Sequence, residues 1–467
     1  MGKFNTYRYL ELKDDTSASH INIRARTLKQ PRRLKKIFIF LLVLALCVTY
    51  FLGLFAGQAQ WFDGLAKSLG YESVYHHAVI IDAGSSGTRV LAYRFRVPFT
   101  VFGQPNLDLV DEFWEETKPG LSSYVDDPEK GADTIVQLVR HAAHLVPPER
   151  RRDTPLIVRA TAGLRLLAPQ KAQMLIDEVS KAISKLGYHV DQNSVEIMDG
   201  SDEGIFIWYT VNLLHNLIGS GTMAALDLGG GSTQITFEPR EEDRKLSPPA
   251  DLYVVPAGAA NVTLYTHSYL KLGLLAARYG IFRLEANDND TNEFVSVCVD
   301  PIVQREKWTY ANKQYVISGA ARADGAKREA VYARCHGAAR RYVARTAGAA
   351  GAAGAAPAQP PRGAVAAMSY FYDVAADAGL IDVMRGGAVS AAQYRAAALR
   401  ACSASNVEQP WACVDLVYVH TLLQDVFKIR DAEPVSLFKK VNGHEVSWAL
   451  GLAYTSIMNK MASAPEA

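Results

Sequence analysis

Cysteine is scarce, with five in 467 residues. None stands in a Cys-x-x-Cys pair or beside a histidine cluster, which argues against a structural zinc site. Long apolar runs are scarcer still. Only residues 37–56 (IFIFLLVLALCVTYFLGLFA) are uncharged and apolar throughout, and the stretch 446–461 is too polar to be a second span, so at most one membrane crossing is expected. Beyond that run no basic stripe interleaved with aromatics occurs, which removes the electrostatic footprint of a nucleic-acid binder. The overall formal charge of +2 does not alter this, because the basic excess is concentrated at the N-terminus.

Residues 1–36 carry ten Lys/Arg against Glu11, Asp14 and Asp15, leaving 40 basic and 45 acidic residues after them. A bilayer core needs about 20 apolar residues in a helix, and basic flanks stay cytosolic. The expected order is therefore a cytosolic tail (1–36), a transmembrane signal-anchor (37–57) and a stem (58–77), with the remainder translocated. A cleaved signal peptide is the competing reading, but the apolar run exceeds the usual ~7–15-residue core of such peptides. Cys47 lies in the run, whereas Cys298, Cys335, Cys402 and Cys413 follow it, an even number suited to an oxidising lumen. Of the three possible connectivities, near neighbours are paired here, Cys298 with Cys335 and Cys402 with Cys413, the alternative being buried free thiols. Sequons at Asn261 and Asn289 mark candidate glycosylation sites.

The most informative feature is a repeated turn. Asp82-Ala83-Gly84-Ser85-Ser86-Gly87-Thr88 and Asp227-Leu228-Gly229-Gly230-Gly231-Ser232-Thr233 each follow an apolar strand-like run and lie 145 residues apart. Glycine lets backbone approach a phosphate closely, hydroxyls and N–H groups donate to its oxygens, and the leading aspartate can hold a divalent cation or its waters. One Gly/Ser turn after a strand is by itself only a hairpin; a duplicate with Asp in the same place points to a two-lobed phosphate-cleaving enzyme. Strands are expected at 78–82, 90–95, 156–161, 194–198, 222–228 and 234–237, with helices at 170–186 and at 202–217, the latter capped by Ser201. This alternation favours an α/β fold with two similar lobes. Residues 346–367, nearly all Ala, Gly and Pro, read as a surface insertion, and 446–461 as a closing helix.

Five ordered motifs then carry a resemblance: IIDAGSSGTR (80–89), RATAGLRLL (159–167), IMDGSDEGIFIWYTVNLL (197–214), ALDLGGGSTQITF (225–237) and NGHEVSWALG (442–451). Over about residues 79–454 the chain resembles the apyrase, or nucleoside triphosphate diphosphohydrolase, family. That family belongs to the actin and hexokinase superfamily, so the resemblance implies two such lobes around a cleft. The GSDEG motif, the segment 369–373 (SYFYD) and the four later cysteines are most similar to its single-anchor luminal UDP/GDP-hydrolysing branch. The implied division is lobe I at 78–199, completed by 443–467, and lobe II at 200–442.

The resemblance also implies roles. Glu203 is the expected general base, with Ser232 and Gln234 orienting the attacking water; Asp82 and Asp227 would hold Ca²⁺ or Mg²⁺ through its waters. Ser85, Ser86, Gly87, Thr88, Thr161, Gly229, Gly230 and Gly231 would bind phosphates, and Tyr370, Tyr372 and Tyr418 are candidates for flanking the nucleobase. Arg89 and Arg165 are left outside the catalytic set, since arginine beside a strand is commonly solvated or salt-bridged. The expected reaction is divalent-cation-dependent hydrolysis of UDP or GDP in the Golgi lumen, with the endoplasmic reticulum or secretion after stem cleavage as alternatives. Competing functions are a cell-surface or secreted triphosphatase, a kinase or polyphosphate hydrolase of the same superfamily, and a catalytically silent nucleotide binder.

Overall fold

The computed structural model describes residues 32–51, 64, 66, 68–71, 73–99, 107–219, 221–258, 260–286, 288, 290–322, 328–349, 361–405 and 407–463. They fall into an N-terminal unit, residues 1–61, and a second unit from Phe62 onward. In the first, Arg32–Phe51 is a helix whose described apolar side chains, such as Phe38 and Phe40, are exposed. The start of this helix holds Arg32, Arg33, Lys35 and Lys36, and residues 52–57 of the expected span lie outside the described residues. Among the described residues no helix is long and apolar enough to cross a membrane.

The second unit is built on two sheets with one plan. In the first, β1 (Val74–Ala83), β2 (Thr88–Val97), β3 (Asp108–Thr117), β4 (Leu156–Ala160) and β5 (Val195–Ile197) lie in the order β3-β2-β1-β4-β5. β1 to β3 form an antiparallel meander, and β4 and β5 run parallel to β1. The helix Pro128–Ala142 leads into β4 and Pro169–Ile183 into β5.

Downstream come β6 (Ala224–Leu228), β7 (Ser232–Phe237), β8 (Leu252–Ala257) and β9 (Ala260–Leu270). A small sheet of β10 (Glu293–Ser296), β11 (Glu306–Tyr310) and β12 (Lys313–Gly319) follows, then β13 (Val365–Ser369), β14 (Gly387–Ser390) and β15 (Pro434–Leu437). The large second sheet has the order β14-β15-β13-β6-β7-β9-β8. Its inner five strands, β9-β7-β6-β13-β15, reproduce the β3-β2-β1-β4-β5 order with the same parallel and antiparallel relations. The repeated Asp-Gly turn is thus the β1–β2 hairpin of one half and the β6–β7 hairpin of the other.

Alternation along the inner strands decides where the turns point. Val79, Ile81 and Ala83 face the core under the helices Pro128–Ala142 and Pro169–Ile183. Ala78 and Ile80 face the opposite layer, which they share with Ala225, Ala366 and Met368 of the second sheet. Asp82 continues the row of Ala78 and Ile80, and Asp227 that of Ala225, so both aspartates end strands on the side where the two halves meet.

That shared layer holds two crossed helices, Gly200–Leu214 and Trp448–Ser463. A Cβ on Gly451 would run into the backbone oxygen of Phe206. Beside this contact the Thr210 hydroxyl donates to Ser447 O at 2.7 Å and accepts from Gly451 N at 2.8 Å. The N-cap of the first helix is Asp199, which accepts from Ser201 N, two residues earlier than the Ser201 cap expected from sequence. An aspartate cap is equally able to take up the free N–H groups there.

Two other boundaries shift. Residues 74–77, read as the end of the stem, already belong to β1. The Ala/Gly/Pro segment is narrower than 346–367: the helix Arg328–Ala349 takes its start, and Val365, Ala366 and Ala367 are buried in β13; small size suits these alanines to a strand packed on both faces. Cys298 pairs with Cys335 and Cys402 with Cys413, the nearest-neighbour connectivity. Asn261 is exposed in β9, while Asn289 lies outside the described residues.

Candidate active site

The two hairpins have the same internal closure, Gly84 N donating to Gly87 O and Gly229 N to Ser232 O, each at 3.0 Å. They also face each other closely. A Cβ on Gly230 would stand 2.7 Å from Ser85 Oγ, and one on Gly231 2.8 Å from Ala162 Cβ. Larger side chains on the second loop would collide with the first half, so glycine here lets the two loops approach closely.

The loops differ where it matters for chemistry. Residue by residue, Gly87 and Arg89 of the first correspond to Ser232 and Gln234 of the second. Register places Arg89 directly across from Asp82 and Gln234 across from Asp227. Arg89 pairs with Asp82 Oδ2 at 3.3 Å and with Glu116 at 2.9 Å. Gln234 Nε2 instead donates to Glu203 Oε2 at 2.9 Å, to Ser232 Oγ at 2.9 Å and to Ser268 Oγ at 3.1 Å.

Glu203 enters from the first turn of the helix Gly200–Leu214. The backbone can approach β7 and β9 there because a Cβ on Gly204 would strike the hydroxyls of Thr236 and Thr266. Arg165 Nη2 donates to Glu203 Oε2 at 2.7 Å and to Ser232 Oγ at 3.3 Å. Glu203, Ser232, Gln234 and Arg165 therefore form one hydrogen-bonded cluster drawing on both halves and on the helix between them.

The electrostatics are those of buried acids. Burial pushes the Glu203 carboxyl up to about 8, against the pull of Arg165 and with the added repulsion of Asp227 and Asp82. Burial likewise raises Asp82 to about 6, partly countered by Arg89, and raises Asp227, which a Ser369 hydrogen bond opposes. Asp82 Oδ1 and Asp227 Oδ1 are both buried without a hydrogen-bond partner. Two such orphaned carboxylate oxygens on the inner faces of paired strands are hard anionic donors that fit a divalent cation retaining its own waters. Among the described residues no group of three or more His, Cys, Asp or Glu forms an all-protein cage.

The remaining expected residues divide. Ser85, Ser86, Gly229 and Gly230 are part-exposed in the loops. Thr88 is buried, its Oγ accepting from Leu121 N at 3.0 Å. Thr161 begins the short helix Ala162–Arg165 with its amide donating to Ala83 O at 3.2 Å, beside the first loop.

Tyr372 and Tyr418 do not reach the cleft and are corrected here to core residues. They are 4% and 1% exposed, and their hydroxyls donate to Val383 O and Leu272 O, each at 2.6 Å. Their spacing suited a packed helix face as well as a base platform, and burial decides for packing. Tyr370 differs from them, being part-exposed at the start of the helix Tyr370–Asp377. Arg89, Arg165, Ser268 and Ser369 were not read from sequence as site residues. For Arg89 the hairpin register was an available signal; for Ser268 and Ser369 nothing local marks them.

Fold and site together are those of a two-lobed phosphate-handling protein. The chain belongs to the GDA1/CD39 (nucleoside phosphatase) family, which matches residues 70–464. It is 36% identical over 437 residues to ectonucleoside triphosphate diphosphohydrolase 5 of Bos taurus, covering 89% of this chain and 96% of the relative. To the human nucleoside diphosphate phosphatase ENTPD5 it is 35% identical over 413 residues, covering 85% and 92%. A crystal structure of nucleoside triphosphate hydrolases from Neospora caninum shares the fold, with a TM-score of 0.60 at 15% identity, covering 87% of this chain and 96% of that one.

Proposed function

We propose that the protein hydrolyses the terminal phosphate of nucleoside diphosphates such as UDP or GDP, giving the monophosphate and phosphate. The observation that carries this reading is the Glu203–Ser232–Gln234–Arg165 cluster beside two apposed phosphate loops. A water held by Ser232 Oγ and by Gln234, whose buried Oε1 has no other partner, would attack phosphorus. Its proton passes to Glu203, the P–O bond to the leaving monophosphate breaks, and no covalent enzyme intermediate forms. Loop amides and the hydroxyls of Ser85 and Ser86 would hold the phosphoryl oxygens, with Arg89 alongside to oppose their charge.

Asp82 and Asp227 would hold Ca²⁺ or Mg²⁺, which supplies positive charge to the phosphate oxygens. Once those aspartates are neutralised, two of the influences that raise Glu203 are gone, and the base ionises more readily. Supporting a membrane-bound, luminal setting are the apolar run 37–56, the basic tail before it and the two disulfides; we place the enzyme in the Golgi as a single-pass protein.

The test is phosphate release by the detergent-solubilised full chain from UDP, GDP, ADP and ATP with Ca²⁺, Mg²⁺ or EDTA, beside Glu203→Gln. Metal-dependent release from UDP or GDP that is lost in the variant supports the proposal. Dominant ATP turnover points to a triphosphatase, and nucleotide binding without turnover to a silent binder.

A further inference from the structure

Glu203 receives two donors on one oxygen. Arg165 Nη2 at 2.7 Å and Gln234 Nε2 at 2.9 Å both bond to Oε2, and Oε1 takes part in neither bond. A carboxylate gripped in this way has one oxygen committed to holding its position and the other left to take a proton.

The two donors come from opposite halves. Gln234 stands in β7 of the second sheet, while Arg165 ends the short helix Ala162–Arg165 that follows β4 of the first. That helix is wedged between the two loops. A Cβ on Gly163 would stand 2.9 Å from Ser85 Cα, and one on Gly231 2.8 Å from Ala162 Cβ, so the helix has little room to shift. At its end the guanidinium lies against the helix that carries Glu203, since a Cβ on Gly200 would be 2.4 Å from Arg165 Nη1.

Stability alone does not explain a cation in that place. Gly200 opens a helix, and the free N–H groups of a helix start favour acids and disfavour a guanidinium. The Arg165 side chain is only 15% exposed, and its Nε is buried without a hydrogen-bond partner. Its Nη2 is spent instead on Glu203 and, at 3.3 Å, on Ser232 Oγ, two members of the reacting cluster. The charge of Arg165 also opposes the burial and the Asp227 and Asp82 carboxylates that favour the protonated acid at Glu203.

We propose that Arg165 is the positioning residue of the general base: it fixes Glu203 through Oε2 and presents Oε1 to the attacking water, without itself binding phosphate. The water proton then goes to Oε1 as the water oxygen bonds to phosphorus. This rests on the hydrolase reading above and adds to it the group that holds the base.

The experiment is a double-mutant cycle on the detergent-solubilised full chain: unmodified, Arg165→Met, Glu203→Gln and both together. It reads kcat and KM for UDP with Ca²⁺ or Mg²⁺, UDP affinity of the two Glu203→Gln proteins by calorimetry, and a melting curve of each protein. Arg165→Met should lower kcat by about thirtyfold or more while KM moves less than about threefold, the pattern of a group that acts in the transition state rather than in uniform binding. In the Glu203→Gln background the same change should alter kcat by less than about threefold and leave UDP affinity unmoved, because the carboxylate it serves is gone. Arg165→Lys keeps a charge and a donor for Oε2 and should recover part of the loss. Undiminished kcat in Arg165→Met, an equal loss in both backgrounds, or UDP affinity weakened about tenfold or more overturns the inference and leaves the hydrolase reading intact. If Arg165→Met fails to fold, Arg165→Lys takes its place in the cycle, and an equal loss in both backgrounds again refutes action through Glu203. Absence of UDP turnover by the unmodified protein overturns the hydrolase reading first.

Discussion

Glu203→Gln should separate the chemistry of the site from its cost in stability. The Glu203 side chain is almost fully buried and its carboxyl lies at about 8, against an ordinary 4.5. A folded value above the unfolded one means that the native state binds more protons than the unfolded chain across that interval. Stability therefore falls as pH rises from 4.5 toward 8. At about 1.4 kcal/mol per pH unit, the whole window carries on the order of 5 kcal/mol, most of it between pH 5 and 8. Glutamine matches the protonated acid in shape and cannot ionise, so the variant lacks this slope. Urea denaturation in EDTA at several pH values should show the unmodified protein losing about 3 kcal/mol more than Glu203→Gln between pH 5 and 8. Asp82 and Asp227 titrate in both proteins, so the difference reports Glu203 together with its repulsion by those two carboxylates. In the presence of metal, phosphate release by the variant should fall by roughly 10²- to 10⁴-fold, the usual worth of a positioned proton acceptor. Parallel stability curves would refute the claim that Glu203 is a desolvated carboxyl, and undiminished turnover would refute its role as base.

Two further outcomes follow from the geometry. Gly230→Ala places a methyl 2.7 Å from Ser85 Oγ at an open loop, so phosphate release should drop at least tenfold while the melting temperature moves little; normal turnover would show that the loops do not close on a phosphate there. The disulfides close loops with sequence separations of 37 and 11 residues, worth about 4 and about 3 kcal/mol in a chain-entropy account. Dithiothreitol should lower the denaturation midpoint, and Cys298→Ser/Cys335→Ser more than Cys402→Ser/Cys413→Ser; an unmoved midpoint after confirmed reduction would refute this.

Much of the molecule was legible because its signals are local. A short turn whose glycines and hydroxyls are repeated with the aspartate in register announces itself in one dimension, and so do strands whose apolar residues run unbroken into it. The nearest-neighbour disulfides and the helix carrying Glu203 belong to the same class: partners close in sequence, or a cap and an apolar stripe within a few turns. Even there, Asp199 rather than Ser201 caps the helix, since both residue types make good caps and only the path of the chain chooses.

What the sequence alone determined was thus the duplicated α/β plan, the two aspartates and the acid at the first turn of a central helix, because each is set by side-chain chemistry and short-range periodicity. Only the tertiary structure decided which arginine meets Glu203 and that Tyr372 and Tyr418 fill the core. Those facts depend on how strands far apart in the chain are brought into register. Burial and the approach of separate segments have no representation in a linear order of residues, and they appear only when the two halves close around their shared layer.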